Sequence, residues 1–220
     1  RGGEGSQGTA AAARAAAAGH FPGNTGGPSG VVKGTIMGQA IRSIGHSSQL
    51  LEAFIAWLQE FRIALGADVR SPPGSRQVPW SNKEVLLGKL AEAGIAYVHI
   101  PALGGRRRPH GNSGTTVWRH PAFRGYADFM QLDPGFENGV AELEQRAPGQ
   151  RTCIMCSEAL WWRCHRSLIA DRLKADGWQV FHITGLGREE EHPRTVAARL
   201  KEGKLYSGPE HSSCPFAREA

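Results

Sequence analysis

From Ala40 onward, short apolar runs alternate with longer segments of helical periodicity, and the runs lead into polar, chemically capable residues. Ala40–Ile44, Ile63–Val69, Ala96–Ile100, Thr152–Met155 and Trp178–Ile183 read as strands. Between them, Leu50, Leu51, Phe54, Ile55, Leu58 and Phe61 recur at helical spacing, with Ser47 or Ser48 as the expected cap. Ser81-Asn-Lys-Glu84 reads as a capping box opening a helix to about Ala93, stopped by Gly94. Residues 125–132 and 135–145 read as helical pieces, Arg166–Ala175 as a helix stopped by Asp176-Gly177, and 195–201 as a last helix.

Strands that alternate with helices must be parallel, because each connection has to cross back over the sheet. The expected fold is therefore α/β: one three-layer domain with a mostly parallel sheet of about five strands and helices on both faces. In such sheets ligands bind beyond the carboxyl ends of the strands. Those ends carry Gly45-His46-Ser47, Asp68-Val69-Arg70, His99 and Cys156-Ser157-Glu158. Residues 101–119 have no periodicity, and a connection of that length is usually functional or mobile.

The α/β domain is expected over 38–185, with 186–220 a C-terminal extension, partly helical or disordered. Residues 1–37 are rich in Gly, Ala and Ser and offer almost nothing large enough to fill a core, so they read as a disordered leader or upstream extension. Met37 stands just before the first periodic segment and is the expected native start. Arg14 interrupts the alanine run, which argues against a secretory signal; an organelle transit peptide is the alternative reading of the leader. No stretch reaches the roughly 20 apolar residues of a membrane span. Cys153, Cys156 and Cys164 crowd into one short stretch with Cys214 apart, unlike a secreted disulfide framework. A reducing, cytoplasmic setting is expected.

The net charge of +6 is partly local, in the run Arg106-Arg107-Arg108. A solvated loop explains it as well as a nucleic-acid stripe does, so nucleic acid is permitted as a partner but not indicated.

The candidate chemistry centres on Cys156, Glu158 and His165. Cys156 ends a strand, and Arg166 opens a helix soon after, so helix amides and a guanidinium are expected to stabilise its thiolate; a buried, inert thiol beside a helix cap is the equal alternative. His165 would serve as base or orienter. Cys153-x-x-Cys156 with Cys164-His165 also offers four metal ligands, but a strand would turn Cys153 and Cys156 to opposite faces. No cofactor is therefore expected, and a single metal on His46, Cys156 or Glu158 is left open. Arg70 and Arg76 could clamp a phosphate or carboxylate, with Asp68 orienting them, or Asp68 and Arg70 could simply hold the loop. His46, Ser47, His99, Tyr126, Cys164 and Arg166 complete the expected substrate-binding set.

Taken in order, Ser43-Ile-Gly-His-Ser47, Asp68-Val-Arg70, Tyr97-Val-His99 and Leu103-Gly-Gly105 resemble an uncharacterised family, domain-of-unknown-function family 488. The resemblance continues through Gly125-Tyr-Ala-Asp-Phe-Met130, Met155-Cys-Ser-Glu158 and Cys164-His-Arg-Ser-Leu-Ile-Ala-Asp171. It runs from about Ile41 to Ile183 and implies a single domain, but no reaction.

The expected function is an enzyme acting on a small anionic or nucleotide-like substrate, anchored by arginines and attacked by Cys156 with Glu158 and His165. A binding module using Arg106–Arg108 and Trp118 or Trp161 is the alternative. A redox switch between Cys156 and Cys164 is a third reading.

Overall fold

The computed structural model describes residues 39–111, 118–193, 199–201 and 204–206. The leader, with the expected start at Met37, lies outside the described residues. Strands β1 (Ala40–Gly45), β2 (Leu65–Asp68), β3 (Ala96–His99), β4 (Thr152–Cys156) and β5 (Gln179–Gly185) form a parallel sheet. A sixth strand, β6 (Arg188–Glu191), adds to β5 antiparallel, and the order across the sheet is β3-β2-β4-β1-β5-β6.

Five helices cover both faces: α1 (Leu51–Glu60), α2 (Lys83–Glu92), α3 (Pro121–Leu132), α4 (Pro134–Arg146) and α5 (Arg166–Ala175). Alternate residues of each strand feed two cores. Ile44, Cys153, Met155 and Ile183 pack with Phe54 and Leu58 of α1 and Leu86 and Leu90 of α2. Ile41, Ala67, Ile154 and Val180 pack on the opposite face with Tyr126, Phe136, Leu143 and Ile169 of α3, α4 and α5.

Chain order and strand order differ in one way that matters. The chain passes from β1 to β2 along the α1 face, leaving a slot that β4 later fills from the α3–α4 face. Past the carboxyl ends of β1 and β4, the chain therefore leaves towards opposite faces of the sheet. Such a reversal opens a crevice where ligands bind in doubly wound sheets.

Several local expectations are corrected. Neither Ser47 nor Ser48 caps α1: the N-cap is Leu50, without a side-chain bond, and Ser47 takes a left-handed conformation, φ 47°. No capping box forms at α2 either. Ser81 ends a 3-10 turn (Pro79–Ser81) with its hydroxyl on the Val78 carbonyl, and Asn82 accepts from the Ser75 N–H instead. Helix α3 starts earlier than residue 125, because Pro121 fits the first helical position and His120 Nδ1 accepts from the Ala122 N–H. Gly94 does end α2, with φ 74°.

The helix expected over 195–201 is also corrected: Arg199–Lys201 is a strand, β7, pairing antiparallel with β8 (Lys204–Tyr206), while 194–198 lie outside the described residues. Arg199-Leu-Lys201 and Lys204-Leu-Tyr206 each alternate polar and apolar residues, a period of two rather than 3.6. No helix among the described residues is long and apolar enough to cross a membrane.

Candidate functional site

The crevice beyond β1, β2 and β4 contains a cavity of about 230 Å³. His46 after β1, Arg70 after β2 and Cys156 at the end of β4 line it, together with Cys164, His165, Tyr126 and Glu158. Parallel pairing of Gly45 with Cys156 sets the two central strand ends level, and His46 N–H to Cys156 C=O and Ser47 N–H to Ser157 C=O continue the ladder into the turns.

Two thiols meet an imidazole here. Cys164 follows a 3-10 turn (Trp161–Arg163) and stands just before α5, whose N-cap is His165. His165 Nε2 lies 3.0 Å from the Val69 carbonyl oxygen, which only accepts, so Nε2 carries the proton. In the neutral ring Nδ1 then presents a lone pair, 3.5 Å from Cys164 Sγ. Arg166, buried at 1% exposure, donates from Nε to Cys164 Sγ at 3.4 Å. Its Nη2 donates to the carbonyls of Glu158 and Ala159, so one guanidinium holds both the thiol and the loop after β4.

The expected thiolate-stabilising neighbours thus stand beside Cys164 rather than Cys156. The neighbouring Cys164 sulfur, then burial, pushes the Cys156 thiol up; the neighbouring Cys156 sulfur, with Arg166, brings Cys164 down against the effect of burial. The two thiols are coupled and titrate as a pair, and the Arg166 N–H on Cys164 Sγ favours charge on that sulfur. Cys153 faces the α1–α2 core, and burial there pushes its thiol up to about 12. It contributes nothing to the cluster.

Asp68 and Arg70 form an internal pair at 2.6 Å, both buried. Tyr97 donates its hydroxyl to Asp68, while Arg70 Nη2 also reaches the Ser81 carbonyl and Nη1 reaches His46 Nε2 at 3.2 Å. His46 Nδ1 donates to the Ser47 carbonyl, so Nε2 accepts from Arg70. Burial, reinforced by Arg70, lowers the His46 pKa and keeps the ring neutral. His99 Nε2 donates to the Arg70 carbonyl and Tyr126 donates its hydroxyl to Leu103 C=O. Asp68, His99 and Ser47 do not line the cavity; they hold the residues that do. Arg76 is exposed and does not line it. Glu158 is exposed at the rim, its carboxylate accepting from the Leu160 N–H.

Sequence reasoning did not pick out Ser71, Ser75 and Arg163 as lining residues, and it read Arg106 only as part of a basic run. Arg106 and Arg163 are exposed at the cavity, whereas Arg107 lies over the Phe129 ring at 3.7 Å. Of the proposed stacking residues, Trp161 lies flat on His182 at 4.2 Å and Trp118 stacks on Phe123.

A second polar group, wholly unanticipated, runs behind the site. Arg166 Nη1 donates to Ser43 Oγ at 3.3 Å, and Ser43 Oγ stands 2.6 Å from His182 Nδ1. His182 Nε2 meets His192 Nδ1 at 2.9 Å, and His192 Nε2 meets Asp171 at 3.2 Å. With neutral rings, one consistent direction of bonds runs from guanidinium to hydroxyl, hydroxyl to His182, His182 to His192 and His192 to carboxylate. Burial, with His192 and Arg166 adding to it, pushes the His182 pKa down to about 2.

Among the described residues one set of three metal-ligating side chains converges, Cys156, Cys164 and His165, with donor atoms within 4.8 Å of one another. His46 and Glu158, weighed as ligands from the sequence, are not in it.

Comparison with protein families matches residues 50–173 to the family described as Domain of unknown function DUF488. The chain belongs to this family. The match spans α1 through most of α5, and so includes Arg70, Cys156, Cys164 and His165 but leaves His46 just outside. Comparison with curated proteins and with solved structures yields no match.

Proposed function

We propose that this DUF488 protein is an enzyme that binds a small anionic or nucleotide-like substrate and attacks it with a thiolate of the Cys156–Cys164 pair. The observation that carries this reading is the meeting of two thiols and an imidazole lone pair in a cavity whose mouth bears Arg106 and Arg163. Cys164 Sγ, stabilised by Arg166, is the nucleophile: as its bond to the substrate forms, the bond to the leaving group breaks, and that group takes the electron pair and a proton from solvent by way of Glu158, while Cys156 keeps its proton and His165 orients the thiols. Glu158 at the rim is placed to exchange protons with the substrate.

The cavity's volume limits what enters. At about 230 Å³ it falls below the roughly 300–1,000 Å³ of sites that enclose whole drug-sized ligands, so the charged end of the substrate enters and the remainder stays outside. Arg106 and Arg163 meet that charge, while Arg70 is committed to Asp68, Ser81 and His46 and acts as a frame. Free thiols at Cys153, Cys156 and Cys164 accord with a reducing compartment such as the cytoplasm.

The test is peptide-resolved alkylation of the reduced protein as a function of pH, with and without phosphate or a nucleoside monophosphate. Cys164 should react with an apparent pKa well below the ~8.5 of a free cysteine, and anions should protect it. Protection should weaken when Arg106 and Arg163 are both replaced by Ala. A Cys164 that stays inert until pH 9, or that anions leave unprotected, sinks the reading.

A further inference from the structure

We propose that Cys156, Cys164 and His165 form a binding site for a thiophilic divalent cation, zinc in the first instance, with a fourth coordination position open to the cavity. The inference takes its residues from the proposed function but not its chemistry. An ion on Cys164 Sγ and attack by that sulfur are alternative uses of one atom.

The donors come from two separate elements, the end of β4 and the start of α5, and yet their ligand atoms fall within 4.8 Å of one another. Zinc with bonds of about 2.3 Å to sulfur and about 2.0 Å to nitrogen in a tetrahedron needs sulfur and nitrogen roughly 3.5 Å apart. Cys164 Sγ and His165 Nδ1 stand 3.5 Å apart before any ion enters.

The orientation of His165 is independent support. Metal-binding histidines generally donate their other ring N–H to a carbonyl or carboxylate, which fixes the tautomer and aims the lone pair. His165 Nε2 does this with the Val69 carbonyl. Gly105 guards the same geometry: a Cβ there would stand 2.3 Å from His165 Nδ1 and push the ring away from the sulfurs.

Donor chemistry selects the ion. Two thiolates and an imidazole suit zinc, cobalt(II) or cadmium and not magnesium or calcium, which take oxygen. Two thiolates balance the divalent charge, so binding expels whatever proton the thiol pair still holds. The Arg166 N–H on Cys164 Sγ then withdraws charge from a bound thiolate. Three protein ligands beside a cavity are the pattern of a site that takes water or substrate in fourth place.

The experiment uses the full chain, reduced and stripped with a chelator, alongside a Cys214→Ser control that removes the thiol outside the described residues. Titration with Co2+ should load one ion per chain, showing thiolate-to-cobalt charge transfer and the intense visible bands of a tetrahedral site. One equivalent of Zn2+ should bleach both. Cys156→Ser and Cys164→Ser should each abolish the charge-transfer band expected of the two-sulfur site or cut it sharply. Gly105→Ala retains every ligand and should weaken binding by about 10- to 100-fold. Zn2+ should also slow alkylation of Cys156 and Cys164 together.

Cobalt bound without charge transfer, or zinc that leaves alkylation unchanged, overturns the inference. Rapid alkylation of Cys164 in the stripped protein would then leave the thiolate reading standing. An inert Cys164 in the stripped protein, with cobalt bound through sulfur, would end that reading and keep the metal site.

Discussion

A methyl group added at Gly45 would stand 1.8 Å from the Glu158 carbonyl oxygen and 2.8 Å from Arg166 Nη2. Neither neighbour is free to give way: one is backbone, and the other is a buried guanidinium with four acceptors. Gly45→Ala should therefore lower stability by about 1–3 kcal/mol, the usual cost of overpacking. It should also slow Cys164 alkylation by displacing Arg166, and urea melts with alkylation rates at one pH check both. Arg166→Lys makes the complementary test, because an ammonium cannot span the sulfur, the Ser43 hydroxyl and two carbonyls. Orphaned buried acceptors should cost about 2–3 kcal/mol, read as a lower urea midpoint with unchanged slope. That Cys156, Cys164, His165 and Arg166 belong together was legible because they are close in sequence. Which sulfur the guanidinium faces was not, since the turn at Trp161–Arg163 decides it and leaves no periodic trace.

At the scale of elements, the line from Arg166 to Asp171 joins β1, β5, α5 and the segment after β6 through Ser43, His182 and His192. No spacing rule could assemble it: Ser43 lies 123 residues from Arg166 and 139 from His182, and a histidine inside an apolar run reads as ordinary packing. The line carries a pH dependence whose sign follows from His182. In the unfolded chain this ring takes up a proton near pH 6.5, whereas folded it resists until about pH 2. Between those values the unfolded state binds more protons, so stability falls as pH drops, by up to about 1.4 kcal/mol per pH unit for such a group. His46, also held below its ordinary pKa, acts in the same direction. Urea melts from pH 7.5 down to 5 should show the loss beginning near pH 6.5. His182→Gln, which removes one titration, should flatten the curve while lowering stability at pH 7.5. An unchanged slope in that variant would mean that His182 is protonated in the folded protein.

At the scale of the whole molecule, five parallel strands were legible because helical and extended periods alternate cleanly, but their order was not. Inserting β4 between β2 and β1 leaves no mark in periodicity, and it is that insertion which opens the crevice. β6 escaped notice for a plainer reason: Arg188-Glu-Glu-Glu191 has no apolar residue, and all four are exposed. Charge and polar contacts tie its side chains down, with Glu189 on Arg42 at 2.7 Å, Glu190 on the Trp161 indole and Glu191 on Lys174 at 2.7 Å. Exposed pairs of this kind weaken as salt rises, whereas the buried strands β1 and β4 feel no such screening. Hydrogen exchange read by mass spectrometry should therefore find β6 amides opening at least about tenfold faster than those of β4, with the gap widening at 1 M salt. The consequence reaches inward. His192 follows β6 directly, is fully buried, and bonds through its N–H to the Val180 carbonyl. When β6 lifts, His192 leaves both His182 and Asp171, and the line that ends on Arg166 loses its carboxylate. High salt should then speed exchange in the 157–166 segment as well as in β6. Faster exchange confined to β6 would show that the edge strand opens without disturbing the thiols.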